Sequence, residues 1–89
     1  MRVPDALLVS RVRRGDAAAF AALVDRHLRP AYAAAFALVG SAAADVCEES
    51  FAKALDRLDE CPRPDRFQTW LLEIVKDVAR EYRARRIAC

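Results

Sequence analysis

Glycine and proline, the residues that interrupt helices, are scarce in this sequence. Two glycines and four prolines occur among 89 residues, against nineteen alanines. Because alanine has the highest helix propensity and the two breakers have the lowest, this composition predicts an all-α protein. No segment shows the strict alternation of a half-buried strand, so we expect no β-sheet.

Long hydrophobic runs and a secretory leader are also missing. The longest nearly apolar run, residues 31–44, is shorter than a bilayer span and is interrupted by Gly40. The N-terminus has no basic segment followed by an apolar one, so it does not resemble a signal peptide. We therefore expect a cytoplasmic protein without membrane insertion. Its length predicts one domain, residues 1–89, able to bury a core without disulfides or a metal.

Residues that usually carry catalysis or bind metals are few. The three cysteines, Cys47, Cys61 and Cys89, form no CxxC pair, and their odd number favours reduced thiols. We expect Cys47 and Cys61 to be small core residues and Cys89 to be an exposed end. His27 is the single histidine, and its charged neighbours predict an exposed position. The spacing fits no common zinc site, so we expect no catalytic residue, no metal and no cofactor.

The residues that are present predict a compact bundle of about four helices. The first helix should end at Gly15 and the second near Gly40, while Pro30 should kink or divide the second helix. Four polar residues stand where N-caps are expected: Asp5, Asp16, Ser41 and Asp65.

Apolar residues recur at helical spacing and predict the core. Leu28 continues the stripe of the second helix, and Tyr32 and Phe36 share a face in its later half. The residues expected in the core are Phe20, Leu23, Phe51, Leu55, Trp70, Leu71, Ile74 and Val78.

Charge is distributed unevenly along the chain. Residues 45–60 carry six acids and two bases, whereas residues 76–86 carry five bases and two acids. Solvated helix faces are the usual explanation of such runs. Two runs of opposite sign, separated by a proline-rich loop, instead favour two partners: a basic protein surface and a phosphate-bearing one. Thirteen of the fifteen basic residues are arginine, which suits bidentate phosphate contacts but equally fits a GC-rich genome.

The order of these features resembles region 2 of the extracytoplasmic-function sigma factors of bacterial RNA polymerase. The opening is similar to the family's GD and AF followed by a long helix ending in glycine. The acidic segment resembles AEDxxQExF, and the last helix resembles FxxWLxxIAxNxxxDxxR. The three stretches that carry the likeness are RRGDAAAFAALVDRHLRPAYAAAFALVG, ADVCEESFAKAL and RFQTWLLEIVKDVAREYRARR.

The resemblance implies a helical bundle of the sigma region 2 type and two binding surfaces. Asp45, Glu48 and Glu49 match the positions that dock on the clamp helices of the polymerase β′ subunit. The loop after this helix and the start of the last helix would bind the non-template strand of the minus-ten promoter element, with one base held in the loop. An anti-sigma factor is a further expected partner.

Charge and position select the expected DNA-binding residues. Arg63 and Arg66 lie in or beside the loop, and the basic residues of the last helix recur every three to four positions. The full set is Arg63, Arg66, Lys76, Asp77, Arg80 and Arg83.

The sequence also departs from the family pattern. Glu48 replaces a glutamine, Asp77 an asparagine, Ala84 an arginine and Cys61 an apolar or aromatic residue. An acid at position 77 would repel phosphate unless Lys76 or Arg80 offsets it. These departures support an alternative: an interaction module that keeps the fold and binds a regulator or polymerase without promoter recognition. The region 4 domain of full-length members, which reads the minus-thirty-five element, is expected to be absent from this chain.

Overall fold

Four α-helices and three short 3₁₀ turns make up the part of the chain that the structure describes. The computed structural model describes residues 2–88, and the described residues contain no strand, which confirms the all-α prediction. The helices are α1 (Asp5–Arg13), α2 (Ala17–Val39), α3 (Ala43–Asp56) and α4 (Phe67–Ala88), and the 3₁₀ turns are Gly40–Ala42, Leu58–Glu60 and Pro64–Arg66.

The break between α1 and α2 follows the local sequence closely. Gly15 has a φ of +94°, a left-handed conformation that is unfavourable for residues with a Cβ atom. The next residue, Asp16, is the N-cap of α2, and its carboxylate accepts a hydrogen bond from the Ala19 amide at 3.3 Å. Both predictions are confirmed.

Three of the predicted N-caps are wrong. Asp5 is the first residue of α1, and its carboxylate binds Arg26 and His27 of α2 instead of the backbone of its own helix. Ser41 lies inside a 3₁₀ turn that precedes α3, and no side chain caps that helix. Asp65 lies in the turn before α4 and accepts hydrogen bonds from Arg63. Ser41 is part of a 3₁₀ turn, and the carboxylates of Asp5 and Asp65 are bound by charged side chains, so none of the three caps a helix.

Helix α2 continues through Pro30 without division. The prolyl ring removes one backbone donor, so this position costs helix stability. Ala31 and Ala35, one and five residues further on, are fully buried. Their packing supports the helix on the far side of the proline. Of the two predicted outcomes, a kink or a division, the division does not occur.

The core is formed by one stripe from each helix. Most of the predicted core residues are buried, as are Cys47 and Cys61. The α4 stripe contributes the most, because its apolar residues recur every three to four positions over three turns. The fully buried large side chains are Phe67, Leu23, Leu71, Val9, Val46, Val75 and Val78.

Several apolar residues predicted to be buried are not. Leu55 is 46% exposed, and Phe20 and Trp70 are only half-buried against the core. Tyr32 stacks on Phe36 with a centroid distance of 6.2 Å, so the two form an exposed aromatic pair. A small bundle has too little interior to cover every apolar residue of its helices.

One stretch, Ala17–Asp56, is long and apolar enough to cross a membrane if only length and composition are considered. A single stretch of this kind is weak evidence for a membrane span, because core helices of folded domains can be equally long and apolar. Here the stretch contains α2 and α3, which pack on each other and on α4 and contribute buried residues to one core.

Because α4 contributes the most buried apolar residues to the core, substitutions on its buried face should lower the free energy of unfolding strongly. Leu71 is fully buried, so Leu71→Ala should lower the free energy of unfolding by about 2–5 kcal/mol. Leu55→Ala removes the same atoms from a 46% exposed position and should cost less than about 1 kcal/mol. Urea unfolding followed by circular dichroism measures both, and equal losses would contradict this core.

Candidate functional site

The three residues predicted to bind polymerase lie on one face of α3. Asp45 and Glu48 are exposed and Glu49 is half-buried. The opposite face of the same helix carries Val46 and Ser50, both buried in the bundle. The packing of α3 thus leaves the acidic face, defined here as Asp45, Glu48 and Glu49, open to a partner.

Glu49, one of the three acids of this face, has two cationic neighbours. Its carboxylate oxygens lie 3.6 Å from Lys53 Nζ and 3.6 Å from Arg85 Nη2. Lys53 also donates to Glu81 at 3.0 Å, and this hydrogen bond lowers the pKa of the Glu81 carboxyl. The ion network of Glu49, Lys53, Glu81 and Arg85 therefore joins α3 to the last turns of α4.

The proline-rich loop, residues 61–66, holds the two predicted loop arginines at the surface. Arg63 donates to both carboxylate oxygens of Asp65, from Nε at 3.1 Å and from Nη2 at 2.9 Å. This bidentate pair lowers the pKa of Asp65 and raises that of Arg63. Arg66 is exposed at the end of the 3₁₀ turn, directly before α4. The loop therefore offers two exposed guanidinium groups, of which that of Arg63 is paired with a carboxylate.

The three α4 cations predicted to bind DNA lie on one face of the helix, as predicted. Lys76, Arg80 and Arg83 together line a groove of about 710 Å³ between α2 and α4, whose remaining lining is apolar. Arg80 Nη1 lies 3.2 Å from Asp77 Oδ1, so the arginine partly offsets the acid that departs from the family pattern. Lys76 Nζ lies 3.5 Å from Glu73.

The prediction of a surface histidine is wrong, because His27 is only 4% exposed. Its Nε2 lies 2.8 Å from Asp5 Oδ2 and its Nδ1 lies 2.9 Å from Gln68 Oε1. A signal for burial was available in the sequence, since His27 stands four residues from both Leu23 and Ala31. The charged neighbours of His27 obscured this spacing.

Two of the three thiols, those of Cys47 and Cys61, are placed as the sequence predicts. Cys47 and Cys61 are buried and form no disulfide. Burial raises the pKa of both thiols, and for Cys61 a hydrogen bond from the Arg63 backbone and the charge of Arg13 oppose this rise. Cys89 lies outside the described residues. Among residues 2–88, no cluster of three or more histidine, cysteine or acidic side chains is arranged to hold a metal.

Comparison with known proteins agrees with the family resemblance that the sequence shows. The Sigma-70 region 2 family matches residues 23–87, which is well over half of the chain. The ECF RNA polymerase sigma-E factor of Salmonella typhimurium strain LT2 is 37% identical over 82 residues, and that of Escherichia coli strain K12 is 35% identical over the same length. Each alignment covers 91% of this chain and 43% of the relative. No solved structure gives a significant match.

Together with the helical bundle, these matches identify a sigma-factor domain. The chain belongs to the Sigma-70 region 2 family and corresponds to region 2 of the extracytoplasmic-function sigma factors. It spans less than half of the length of the curated relatives that it matches.

The burial of Cys47 and Cys61 predicts low thiol reactivity. Because the thiolate is the reactive form, a raised pKa leaves less of it at a given pH and slows alkylation. At pH 8, alkylation of these two thiols by iodoacetamide should be slow in the native protein and much faster in denaturant, as mass spectrometry of each cysteine-containing peptide will show. Equal rates in both conditions would contradict the buried positions.

Proposed function

We propose that this domain binds the β′ clamp of RNA polymerase through the acidic face of α3 and the minus-ten non-template strand through the loop and α4. The observation that carries the proposal is the separation of charge. The acidic face is exposed on α3, whereas exposed cations occupy the loop and one wall of the α2–α4 groove. Both partners are cytoplasmic in bacteria, so the proposal also implies a cytoplasmic location.

Polymerase docking is supported by the geometry of α3. Asp45 and Glu48 are three residues apart on a helix that is held by its buried face, so their carboxylates are presented together on a rigid element. Asp45 also lies in the first turn of α3, where the helix dipole favours an acid. A basic partner helix could engage both carboxylates without any change in the bundle.

Binding of a single DNA strand is supported by the spacing of the cations. Arg66 directly precedes α4 and Arg83 lies sixteen residues into it, a separation of roughly 25 Å along the helix axis. That length is several times the spacing of successive phosphates in a strand. The loop cations and the groove cations can therefore contact one short strand, with the base held at the loop end as the family resemblance implies.

The same groove gives support to a second candidate function. Lys76 and Arg80 each have an acid within 3.5 Å, which reduces the charge they offer to phosphate. The groove between them and α2 is lined with Ala34, Ala37, Leu38, Ala79 and Ile87, which suits an apolar side of a protein partner. In this alternative the domain binds a regulator, such as an anti-sigma factor, or polymerase without reading promoter DNA.

Charge reversal on α3 tests polymerase docking. Glu48→Lys should weaken binding to RNA polymerase core enzyme by at least about tenfold, because an attraction is replaced by a repulsion with a basic partner. Glu49→Lys should weaken it less, since Lys53 and Arg85 already neutralise part of that charge. Fluorescence anisotropy of labelled variants measures both affinities.

Asp25→Lys is the matched control for this experiment. Asp25 is exposed on α2, so the substitution changes the net charge equally without altering α3. Its affinity for core enzyme should stay close to that of the unmodified domain. Equal weakening by Asp25→Lys and Glu48→Lys would show a general charge effect and would remove the acidic face from the proposal.

A salt titration tests DNA binding. If three or four cations meet phosphates, the logarithm of the affinity for a minus-ten single strand should fall with the logarithm of salt at a slope of roughly −2 to −3. Asp77→Asn removes a negative charge and releases Arg80 from its pair, so binding should tighten and the slope should steepen. Fluorescence anisotropy with the polymerase clamp present gives both quantities.

Asp25→Asn serves as the control with the same chemical change away from α4, and it should have little effect on strand binding. A scrambled strand and a duplex measure sequence and strand preference. Binding that is absent at low salt for both the unmodified domain and Asp77→Asn would reject promoter recognition and favour the interaction module.

A further inference from the structure

A polar cluster around the buried His27 belongs to neither of the two charged surfaces. His27 of α2 lies between Asp5 of α1 and Gln68 of α4, with ring nitrogens 2.8 Å and 2.9 Å from their side-chain oxygens. Arg26 Nη1 completes the cluster by donating to the other oxygen of Asp5 at 2.7 Å and to the Val3 carbonyl at 2.6 Å. The cluster thus joins the N-terminal segment, α2 and α4 at one point.

The place where the cluster meets α4 is the end of the proline-rich loop. Gln68 is the second residue of α4, and the loop's last 3₁₀ turn ends two residues earlier at Arg66. The His27 ring also lies 5.2 Å from the ring of Phe67, which is fully buried. His27 therefore contacts the first two residues of the helix that the loop leads into.

A chemical role for the His27–Asp5 pair is not supported. Both ring nitrogens already have hydrogen-bond partners, and these are an amide and a carboxylate, not a serine or a cysteine. The His27 side chain is also only 4% exposed. A third ligand for a metal is missing from the described residues as well. What remains is a polar link that holds three segments in one relative position, because the buried His27 ring is hydrogen-bonded on both sides, to Asp5 and to Gln68.

We propose that His27 is a positioning residue for promoter-strand recognition, acting through Gln68 on the start of α4 and on the proline-rich loop. This inference rests on the proposed DNA-binding function of that loop. Because His27 is buried, it cannot contact the strand itself. Any effect of His27 on sequence preference is therefore indirect and depends on the residues that it contacts. One of these, Asp5, belongs to α1, which lies outside both binding surfaces.

Two conservative substitutions separate the contacts of the ring. The amide of His27→Asn lies close to the former Nδ1 and retains a partner for Gln68. The longer His27→Gln side chain extends toward the former Nε2 and retains a partner for Asp5. Gln68→Ala removes the same contact from the α4 side at an exposed residue, so folding should be preserved.

The expected result is a selective loss of preference for the minus-ten strand over a scrambled strand. His27→Gln and Gln68→Ala should each lower this preference roughly threefold to tenfold, the effect of one hydrogen bond, while His27→Asn should retain it. The double variant His27→Gln/Gln68→Ala should lose no more than either single variant, because both remove one shared contact. Binding to polymerase core enzyme should change by less than about twofold in all of them.

Amide hydrogen exchange provides a readout that needs no DNA. Exchange at residues 66–70 should speed up in His27→Gln and Gln68→Ala but not in His27→Asn, whereas exchange in α3 should be unchanged. Thr69→Ala, an exposed change on the same turn of α4, is the matched control and should leave this exchange pattern as it is.

The possible outcomes keep the two proposals apart. Faster exchange at residues 66–70 with no strand binding by any variant would reject the DNA-binding function. It would still support the inference that the His27–Gln68 contact holds the start of α4 in place. Strand preference that is equal in all variants, or additive losses in the double variant, would overturn the positioning role. Uniform faster exchange across the bundle would show that His27 acts only on global stability and would also overturn it.

Discussion

The packing of α4 across α2 and α3 is the contact on which the other features of the domain depend. Phe67, Leu71, Val75 and Val78 are completely buried, and they hold α4 over three turns against both partners. Because one face of α4 is committed to the core, its cations must lie on the remaining face. The groove that Lys76, Arg80 and Arg83 line is a direct consequence.

The same packing brings opposite charges together where α3 and α4 meet. Glu49 contacts Lys53 and Arg85, and Lys53 contacts Glu81, so charge is neutralised along the shared edge. Exposed ion pairs contribute little to stability, roughly 0–1 kcal/mol each, and they can exchange partners at small cost. Away from this edge the acidic face of α3 and the cations of the α4 groove suit different partners, although two of those cations are each paired with an acid of α4.

Much of the fold could be predicted from the sequence because its signals are local. The alanine content, the left-handed Gly15 and the Asp16 cap depend on residues close in the chain, and the structure bears each of them out. The periodicity of α4 predicted its buried face for the same reason. The α3 acids were assigned to one face by the family resemblance and the α4 cations by their spacing, and the structure leaves both faces open.

What could not be predicted depends on residues distant in the chain. Asp5 is a poor cap because Arg26 and His27, more than twenty positions away, bind its carboxylate more strongly than the backbone could. His27 is buried because Asp5 and Gln68 satisfy both ring nitrogens, and a buried imidazole without such partners would be unfavourable. The cluster therefore had to be seen in three dimensions. It makes the first turn of α4 dependent on a segment that neither charged surface includes.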